Sequence, residues 1–575
     1  MSVDITVRIV GQAGQGMQSI GFIIGKIFTR HGYYVFTNQD VESRIRGGHS
    51  FVQVRVKDEP VHAVGENVDL MIVLDAEAVE QDLKDLAEDG VMIFDGSKSA
   101  FKSDRPNHFS LPLEKLAVEA GKSKIMINSV ALGCVFALLE FDLQPLLDRL
   151  DEEFNRKGEE VAENNKKCAS AGYRYVQKYF KGSHPYKLPS NSPEKKKMLI
   201  SGSEAMALGA ICSGLKFYAG YPMSPSTPIM EFVASMSERF NLIVEPAEDE
   251  IAAINMAIGA SFAGARAMTA TSGGGFCLMV EALGLAGMTE TPMVIVVAQR
   301  TGPSTGMPTR TEQSDLGFVI HSSHGEFPRA VFAPGHAEQA FYLMGKAFNV
   351  ADFYQTPVVV LGDQHLNDSY FTVDDLDLGQ IKINQGRVVS GDKNLSTKDY
   401  KRYALDESGI SPRILPGLSD SLIYADSDEH TEEGHITESA EVRKQMMQKR
   451  MRKLEGMRKE MGPPELNPSG DSDIVLLGWG STYGAIKEAV EQLNMEGLQS
   501  RMLHFSEVFP FHWGNISKKI NTKAKIFAVE NNFTGQFSDL FKSETGMPIH
   551  RRILKYDGRP FTPKEIVTQV KDHAG

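Results

Sequence analysis

Short apolar runs alternate with longer amphipathic stretches along most of the 575-residue chain. The apolar runs predict buried strands, and apolar positions at helical spacing predict helices between them. This alternation is typical of α/β domains whose sheets are mostly parallel. In the N-terminal part the predicted strands are Ile5–Val10, Tyr33–Thr37, Phe51–Val56, Leu70–Leu74 and Val91–Phe94.

The pattern divides the chain into three predicted α/β domains, residues 1–185, 199–370 and 471–575. Residues 186–198 are rich in Ser, Pro, Asn and Lys, which predicts an exposed linker. Residues 371–470 are less regular and predict a connection between the second and third domains. The strands predicted in these two domains are Lys216–Ala219, Leu242–Glu245, Met293–Ala298, Pro357–Gly362, Ile474–Leu477, Ser500–His504 and Ile526–Val529.

The connection contains a predicted basic helix, Glu441–Met461, with eight Lys or Arg residues. We interpret it as a surface helix whose basic face is solvated, and a docking role for that face is the alternative. Its apolar positions at helical spacing are Met447, Met451, Leu454, Met457 and Met461.

Composition and charge exclude several classes of protein. The net charge of −13 leaves no basic surplus to displace counterions, so we expect no nucleic-acid partner. No window of about 18 uninterrupted apolar residues occurs, so no membrane span is predicted. The first residues predict a strand rather than a signal peptide, and we expect a cytoplasmic protein.

The four cysteines (Cys134, Cys168, Cys212 and Cys277) lie far apart, without a C-x-x-C pair. An iron–sulfur cluster normally needs closely spaced cysteines, so none is predicted in this chain. We interpret the cysteines as reduced core residues.

The most informative segment is Pro246–Ala260 together with Thr269–Gly275. It places Glu250 where a predicted strand gives way to a helix of small apolar residues. Ligands in open α/β sheets bind beyond the carboxyl ends of the strands, so this carboxylate is predicted to point into a crevice. We expect it to contact a bound aromatic cofactor rather than water.

Two further loops follow predicted strands. In Gly220–Pro228, three prolines fix the backbone and Ser224 offers a hydroxyl group, although a turn that caps the next helix is the alternative. Gln299–Asp315 carries Arg300 and Arg310. Arginine binds carboxylates through a planar fork, which suits a 2-oxoacid, whereas surface salt bridges are the alternative.

Near the N-terminus, Gly11–Gly16 lies between a predicted strand and helix, where backbone N–H groups favour an anion. It matches neither a Walker loop nor a dinucleotide fingerprint, and a tight turn is the alternative. In Glu42–Ser50, Arg44 and Arg46 could bind phosphate or merely be solvated. Together the two loops favour a phosphorylated ligand.

These motifs resemble, over nearly the whole chain, the α subunit of a 2-oxoacid:ferredoxin oxidoreductase with the γ domain fused in front. On this resemblance, residues 1–185 correspond to the γ domain, 199–370 to the thiamine diphosphate pyrimidine-binding domain and 471–575 to a transketolase C-terminal-like domain. The motifs that carry it are Gly11-Gln-Ala-Gly-Gln-Gly16, Arg44-Ile-Arg-Gly-Gly-His-Ser50, Gly220-Tyr-Pro-Met-Ser-Pro-Ser-Thr227, Glu248-Asp-Glu-Ile-Ala-Ala-Ile-Asn255, Gly478-Trp-Gly-Ser481 and Val529-Glu-Asn-Asn-Phe-Thr-Gly-Gln536.

The resemblance also implies roles for single residues. Glu250 would hydrogen-bond the aminopyrimidine N1′ of thiamine diphosphate and promote its imino tautomer, with Glu248 as the competing choice. Ser224 stands where the family usually has Thr. By the same resemblance Gly273 and Gly274 would bind the cofactor, Tyr221, Ser224, Arg300 and Arg310 the 2-oxoacid, and Gly14, Gly16, Arg44 and Arg46 coenzyme A.

Thiamine diphosphate also needs a Gly-Asp-Gly turn, and Gly362-Asp-Gln is the nearest approach in this chain. The resemblance therefore implies a β subunit that supplies the diphosphate site, Mg²⁺ and a [4Fe–4S] cluster, in an (αβ)₂ assembly that reduces ferredoxin. The implied reaction is coenzyme A-dependent oxidative decarboxylation, with 2-oxoglutarate as the leading substrate. Pyruvate, branched-chain or aryl 2-oxoacids remain alternatives, as does a non-catalytic scaffold role.

Overall fold

The computed structural model describes residues 3–43, 47–75, 79–99, 101–184, 187–189, 197–389, 400–514, 516–521 and 523–574. The chain forms two compact units. The first contains Met1–Ile200 and Asp368–Asp375, and the second contains Ser201–Asn367 and Leu376–Gly575. The boundaries of the three predicted domains stay a prediction.

The first unit is built on an eight-stranded sheet of order β6-β5-β4-β1-β3-β2-β14-β7. All five strands predicted there are present, but the sheet is mixed, because β3 is antiparallel to both β1 and β2. Residues 41–46 between β2 and β3 are too few for a parallel crossover. The strands are β1 Asp4–Ala13, β2 Tyr34–Asp40, β3 Gly47–Lys57, β4 Val68–Val73, β5 Leu86–Phe94, β6 His108–Ser110, β7 Met198–Ser201 and β14 Tyr370–Val373.

Strand β14 joins this sheet from far along the chain, with Phe371 opposite Phe36. Thr372 Oγ1 accepts from Val35 N at 2.9 Å and lies 2.9 Å from Thr29 Oγ1. The helices of the first unit are α1 Met17–Arg30, α2 Val79–Asp82, α3 Leu113–Gly121, α4 Ile127–Leu138, α5 Gln144–Phe154 and α6 Glu159–Tyr179.

The second unit contains a seven-stranded sheet of order β20-β12-β13-β11-β10-β8-β9. Strands β8 to β13 are parallel to one another, and every residue of β10, β11 and β13 is buried, as expected for a sheet covered on both faces. These strands are β8 Phe217–Gly220, β9 Ile243–Pro246, β10 Ala267–Thr271, β11 Met293–Gln299, β12 Ala330–Phe332, β13 Pro357–Asp363 and β20 Glu507–Phe509.

A five-stranded sheet of order β17-β19-β18-β21-β22 completes the second unit, beside the short pair β15–β16. β20 pairs antiparallel with β12, so the C-terminal part of the chain shares a core with the second sheet. The predicted fold class, α/β with mostly parallel sheets, is confirmed. The remaining strands are β15 Val388–Val389, β16 Arg413–Ile414, β17 Glu465–Asn467, β18 Ile474–Trp479, β19 Ser500–Phe505, β21 Lys525–Glu530 and β22 Arg551–Leu554.

Helices pack against the seven-stranded and the five-stranded sheets of the second unit. In chain order they are α7 Gly202–Cys212, α8 Thr227–Ser235, α9 Ser237–Phe240, α10 Glu250–Phe262, α11 Gly273–Met288, α12 Leu316–His321, α13 Ala337–Tyr354, α14 Gln364–Asp368, α15 Ala440–Glu460, α16 Tyr483–Met495, α17 Gln536–Thr545 and α18 Pro563–Ala574.

One sequence interpretation about burial, that of the four cysteines as core residues, needs correction. Cys134 and Cys168 are buried as expected, but Cys212 is half-buried and Cys277 is exposed.

In the part of the chain that the structure describes, no single helix is long and apolar enough to cross a membrane. One bent pair, Leu113–Gly121 with Lys124–Leu138, meets the length and composition test together.

The prediction of a solvated basic face on α15 is wrong for Lys449, Arg450 and Lys453, which are buried, whereas the other five basic residues are exposed: Arg443, Lys444, Arg452, Arg458 and Lys459. Lys449 and Lys453 donate to Glu290 at 2.6 and 2.5 Å, and all three side chains are at most 1% exposed. Arg450 is also buried, 2.7 Å from Glu429. A buried carboxylate must be paired, and Glu290 obtains its counter-charges from this helix. Lys449 and Lys453 therefore fasten α15 to the turn between α11 and β11.

We predict that Glu290→Gln lowers stability strongly, by about 3–5 kcal/mol, because two buried ammonium groups lose their counter-charge. Thermal unfolding of the purified chain should show its transition lowered by on the order of 5 °C or more. Glu433→Gln is the matched control, since Glu433 pairs with Lys401 at 3.2 Å on the surface and should change stability by less than about 1 kcal/mol. Equal shifts for the two variants would contradict the prediction.

Candidate active site

The carboxyl ends of five neighbouring parallel strands lie along one edge of the seven-stranded sheet, in the order β13, β11, β10, β8 and β9. The segments that leave these ends carry Asp363, Arg300, Gly273, Ser224 and Glu250, respectively. Ligands of open α/β sheets bind in such a crevice. The topology therefore gathers most of the predicted site residues of the second domain at one edge.

Glu250 is the first residue of α10, and Asp249 caps that helix by accepting from Ala252 N at 2.7 Å. The Glu250 side chain is buried at 3% exposure, and its Oε1 has no hydrogen-bond partner within the described ranges. Glu248 is exposed. Since a buried polar atom without a partner is costly, a ligand that supplies a hydrogen-bond donor to Oε1 would stabilise this arrangement. Of the two glutamates, only Glu250 has this environment.

The first turn of α11 borders Glu250. A Cβ atom built on Gly275 would lie 2.5 Å from Glu250 Oε1 and closer still to Thr271 Oγ1, so only glycine leaves room for the carboxylate. The predicted Gly273 and Gly274 lie in the same turn, and Gly274 is exposed, since a Cβ atom built on it would make only ordinary contact with Ser304 O at 3.8 Å. Sequence reasoning missed Gly275, although it belongs to the same glycine run.

Asp315 is a second carboxylate at this turn that sequence reasoning did not select. Its side chain lies so close to Gly273 that a Cβ atom there would overlap it. Burial raises the pKa of Asp315 to about 6, and the nearby positive charge of Arg300 opposes that rise. Asp315 N donates to Gln299 Oε1 at 3.0 Å, which ties it to the end of β11.

The fold brings Arg300 and Ser224, two of the predicted substrate-binding residues, into contact. Arg300 Nη1 donates to the Ser224 backbone oxygen at 2.8 Å, and Arg300 Nε is buried without a partner among the residues that the structure describes. Burial lowers the pKa of the Arg300 guanidinium, and Asp315 opposes this change. Tyr221 and Ser224 are exposed at the mouth of the crevice. This arrangement leaves polar groups available to an anionic ligand.

Arg310 is buried on the returning limb of the same loop. Its N donates to Met307 O at 3.0 Å, and its O accepts from Thr301 N at 3.2 Å. The loop therefore folds back on itself between Arg300 and Arg310.

Asp363 belongs to Gly362-Asp-Gln, the nearest approach to a Gly-Asp-Gly turn. Its carboxylate forms hydrogen bonds within the fold. Its Oδ1 accepts from Thr311 Oγ1 at 3.2 Å and from Leu366 N at 3.0 Å, and burial raises the pKa of this carboxyl. Within the described residues, no group of three or more His, Cys, Asp or Glu side chains is arranged to hold a metal ion.

The predicted anion-binding loop Gly11–Gly16 belongs to the first unit. Gly14 and Gly16 have φ of 89° and 75°, and Gly16 precedes α1 without a side-chain cap. Asn128 Nδ2 donates to Gln15 O at 2.7 Å and holds the loop. Arg44 and Arg46 lie outside the described residues.

Residues 208–449 match the family of pyruvate flavodoxin/ferredoxin oxidoreductase, thiamine diphosphate-binding, and residues 6–175 match the family of pyruvate ferredoxin/flavodoxin oxidoreductase. A 2-oxoacid:ferredoxin oxidoreductase α subunit from a Sulfolobus species is 33% identical over 97% of this chain and 95% of that protein. The chain belongs to the family of 2-oxoacid:ferredoxin oxidoreductase α subunits. The predicted family and oxidoreductase activity are thereby confirmed.

Two further comparisons place this α subunit among its relatives. The 2-oxoglutarate oxidoreductase subunit KorA from Mycobacterium tuberculosis is 28% identical over 98% of this chain and 90% of that protein. Among solved structures, the 2-oxoglutarate:ferredoxin oxidoreductase from Magnetococcus marinus, with 2-oxoglutarate, coenzyme A and succinyl-CoA bound, covers 100% of both chains. Its TM-score is 0.91 at 32% identity.

We predict that Gly275→Ala lowers the 2-oxoacid-dependent activity of the assembled enzyme about 10²-fold, because the new methyl group displaces the Glu250 carboxylate. Reduction of a viologen dye at saturating thiamine diphosphate measures this loss. Gly317→Ala is a suitable control, because its Cβ would make only ordinary contact, 3.4 Å from Gln536 Oε1. Activity of Gly275→Ala within twofold of the wild type would show that Glu250 does not need this space.

Proposed function

We propose that this α subunit acts with a β subunit to convert 2-oxoglutarate and coenzyme A into succinyl-CoA and CO₂, with electrons passed singly to ferredoxin. The observation that carries the proposal is the buried Glu250 carboxylate, whose Oε1 lacks a protein partner, at the strand edge that also bears Arg300. The substrate assignment is supported by the similarity, at a TM-score of 0.91, to the Magnetococcus marinus enzyme with 2-oxoglutarate and coenzyme A bound.

Glu250 and the first turn of α11 fit the aminopyrimidine of thiamine diphosphate. When bound, this cofactor would supply a nucleophilic carbon for the keto group and an electron sink for decarboxylation. Glu250 would hold the proton that it shares with N1′, and Gly275 would keep the carboxylate in place. Gly273 and Gly274 would allow close approach of the ring, because neither presents a side chain there.

The 2-oxoacid would bind between the loop Gln299–Asp315, which carries both arginines, and the loop Gly220–Pro228. Arg310 and Arg300 would receive the carboxylate, since a guanidinium group matches it with paired donors. Ser224 and Tyr221 would contribute hydroxyl groups from the opposite loop. The closeness of Arg300 and Ser224, at 2.8 Å between Nη1 and the backbone oxygen, supports a shared pocket.

The β subunit would cover the exposed faces of α10 and α11 beside Glu250. Ile251, Met256 and Leu278 are 50%, 42% and 50% exposed on these two helices. Such an apolar surface is typical of a protein interface. We assign the diphosphate site, Mg²⁺ and the [4Fe–4S] cluster to that subunit, in an (αβ)₂ assembly. The lack of a Gly-Asp-Gly turn and of closely spaced cysteines in this chain supports that division.

Coenzyme A would be bound with the help of the first unit. The positive-φ residues Gly14 and Gly16 at the uncapped start of α1 suit an anion such as a phosphate of this co-substrate. Arg44 and Arg46 would add positive charge.

We predict that Glu250→Gln lowers kcat of the αβ enzyme at least about 10²-fold, because the amide cannot share a proton with N1′. The assay is coenzyme A-dependent dye reduction with a panel of 2-oxoacids. Glu248→Gln should stay within twofold of wild type, since Glu248 is exposed. Full activity of Glu250→Gln would instead indicate a scaffold subunit. A preference of the wild-type enzyme for pyruvate, branched-chain or aryl 2-oxoacids would overturn the substrate assignment alone.

We also predict that Met256→Glu disrupts co-purification with the β subunit, because it places a charge in the proposed apolar contact. Affinity purification from cells that express both subunits measures the β:α ratio. Met495→Glu is the matched control, because Met495 is 85% exposed at the end of α16, outside the proposed interface. Retention of the β subunit by Met256→Glu would show that it docks elsewhere.

A further inference from the structure

Two motifs in the third predicted domain have no role in the chemistry described above. Gly478-Trp-Gly-Ser481 lies at the carboxyl end of β18, and Val529-Glu-Asn-Asn-Phe-Thr-Gly-Gln536 lies at the carboxyl end of β21. Both motifs contact the loop Gln299–Asp315, hereafter the arginine loop, which carries Arg300 and Arg310.

Gln313 of the arginine loop is the centre of this contact. It is fully buried, and its side chain is bonded at both ends: Oε1 accepts from Asn531 N at 3.1 Å and Nε2 donates to Trp479 O at 2.8 Å. Its backbone is bonded as well, because N donates to Asn531 O at 2.7 Å and O accepts from Asn532 Nδ2 at 3.1 Å. All four polar groups of Gln313 therefore bind the third domain.

The partners of Gln313 are themselves held in place. The buried carboxylate of Glu530 accepts from Trp479 Nε1 at 3.2 Å and from Asn532 Nδ2 at 3.1 Å. It also accepts from Phe537 N and Ser538 N, at 2.8 and 2.9 Å, in the first turn of α17. A carboxylate at a helix N-terminus is stabilised by the helix dipole. Because Glu530 also bonds Trp479 and Asn532, its hydrogen bonds hold the partners of Gln313 in a fixed arrangement.

A second anchor lies next to Arg310. Thr311 Oγ1 donates to Asp363 Oδ1 at 3.2 Å, and Thr311 N donates to Gly558 O at 3.3 Å. The backbone at Arg310 is thus fixed on one side by its own loop and on the other by Asp363 and the third domain. The backbone from which the Arg310 side chain extends is therefore held in place on both sides.

We propose that Gln313 is a positioning residue, which locks the arginine loop onto the third domain and so sets Arg310 for the carboxylate of the 2-oxoacid. The inference rests on the proposed role of Arg310 in binding substrate. It gives the third domain a part in substrate recognition without any contact to the substrate. Misplacement of a binding group by about 1 Å can cost about 10²-fold in rate, so such a lock has a measurable effect.

The test uses Gln313→Glu in the assembled αβ enzyme. The variant keeps an acceptor for Asn531 N but turns a carboxylate oxygen toward the Trp479 oxygen. KM for 2-oxoglutarate should rise at least tenfold, while KM for coenzyme A and the affinity for thiamine diphosphate stay within twofold. Gln339→Glu is the matched control, because Gln339 Oε1 accepts from Gly335 N at 2.9 Å, away from the arginine loop, and it should leave all three values unchanged.

A double-mutant cycle separates positioning from simple destabilisation. Arg310→Ala should raise KM for 2-oxoglutarate, and Gln313→Glu added to Arg310→Ala should change it by less than twofold further. Independent multiplication of the two effects, or a joint loss of cofactor affinity and melting temperature in Gln313→Glu, would overturn the inference. If Gln313→Glu does not assemble, Thr311→Val tests the second anchor with the same expectations.

The Arg310→Ala and Gln313→Glu variants distinguish the substrate-binding role of Arg310 from the positioning role of Gln313. If Arg310→Ala leaves KM for 2-oxoglutarate unchanged, the proposed substrate-binding role of Arg310 fails. If Arg310→Ala raises KM and neither Gln313→Glu nor Thr311→Val does, only the positioning role is overturned.

Discussion

The Glu250 carboxylate is withdrawn from water, yet one of its oxygens finds no donor in the described chain. A buried carboxylate oxygen without a hydrogen-bond donor destabilises a fold. The elements around Glu250 nevertheless keep this oxygen buried and unpaired within the described residues. Asp249 fixes the start of α10, and Gly275 leaves the space that the carboxylate occupies. We propose that a ligand supplies the missing hydrogen-bond donor, which would link the fold to cofactor chemistry.

The arginine loop, near this carboxylate, is held by hydrogen bonds to other parts of the second unit. The parallel sheet brings five strand ends together, but strand ends alone do not fix the arginine loop. Its position depends on hydrogen bonds from Gln313 and Thr311 to groups contributed by later parts of the chain. Groups held before the ligand arrives need no reorganisation when charge develops, which is the general advantage of a prearranged site.

Sequence reasoning succeeded where the signal is local and failed where the partner is distant. The change from strand to small-residue helix at Glu250 can be read from neighbouring residues, as can the strand pattern of all three predicted domains. Lys449 looks solvated by the same reasoning, because its partner Glu290 lies 159 positions away. Gln313 gave no signal at all, since Asn531 is 218 positions distant. The environments of Lys449 and Gln313 are set by partners far along the chain rather than by residue type.

The strand β14 has a consequence for the way this protein is made. The first unit needs Tyr370–Val373 at the edge of β2, where Thr372 satisfies Val35 N. A ribosome delivers those residues only after most of the seven-stranded sheet of the second unit has already been synthesised. The N-terminal unit must wait, with one edge of β2 unpaired, until the chain returns to it. A gene fragment that ends at residue 200 would encode a sheet with a permanently open edge, which invites pairing with foreign strands.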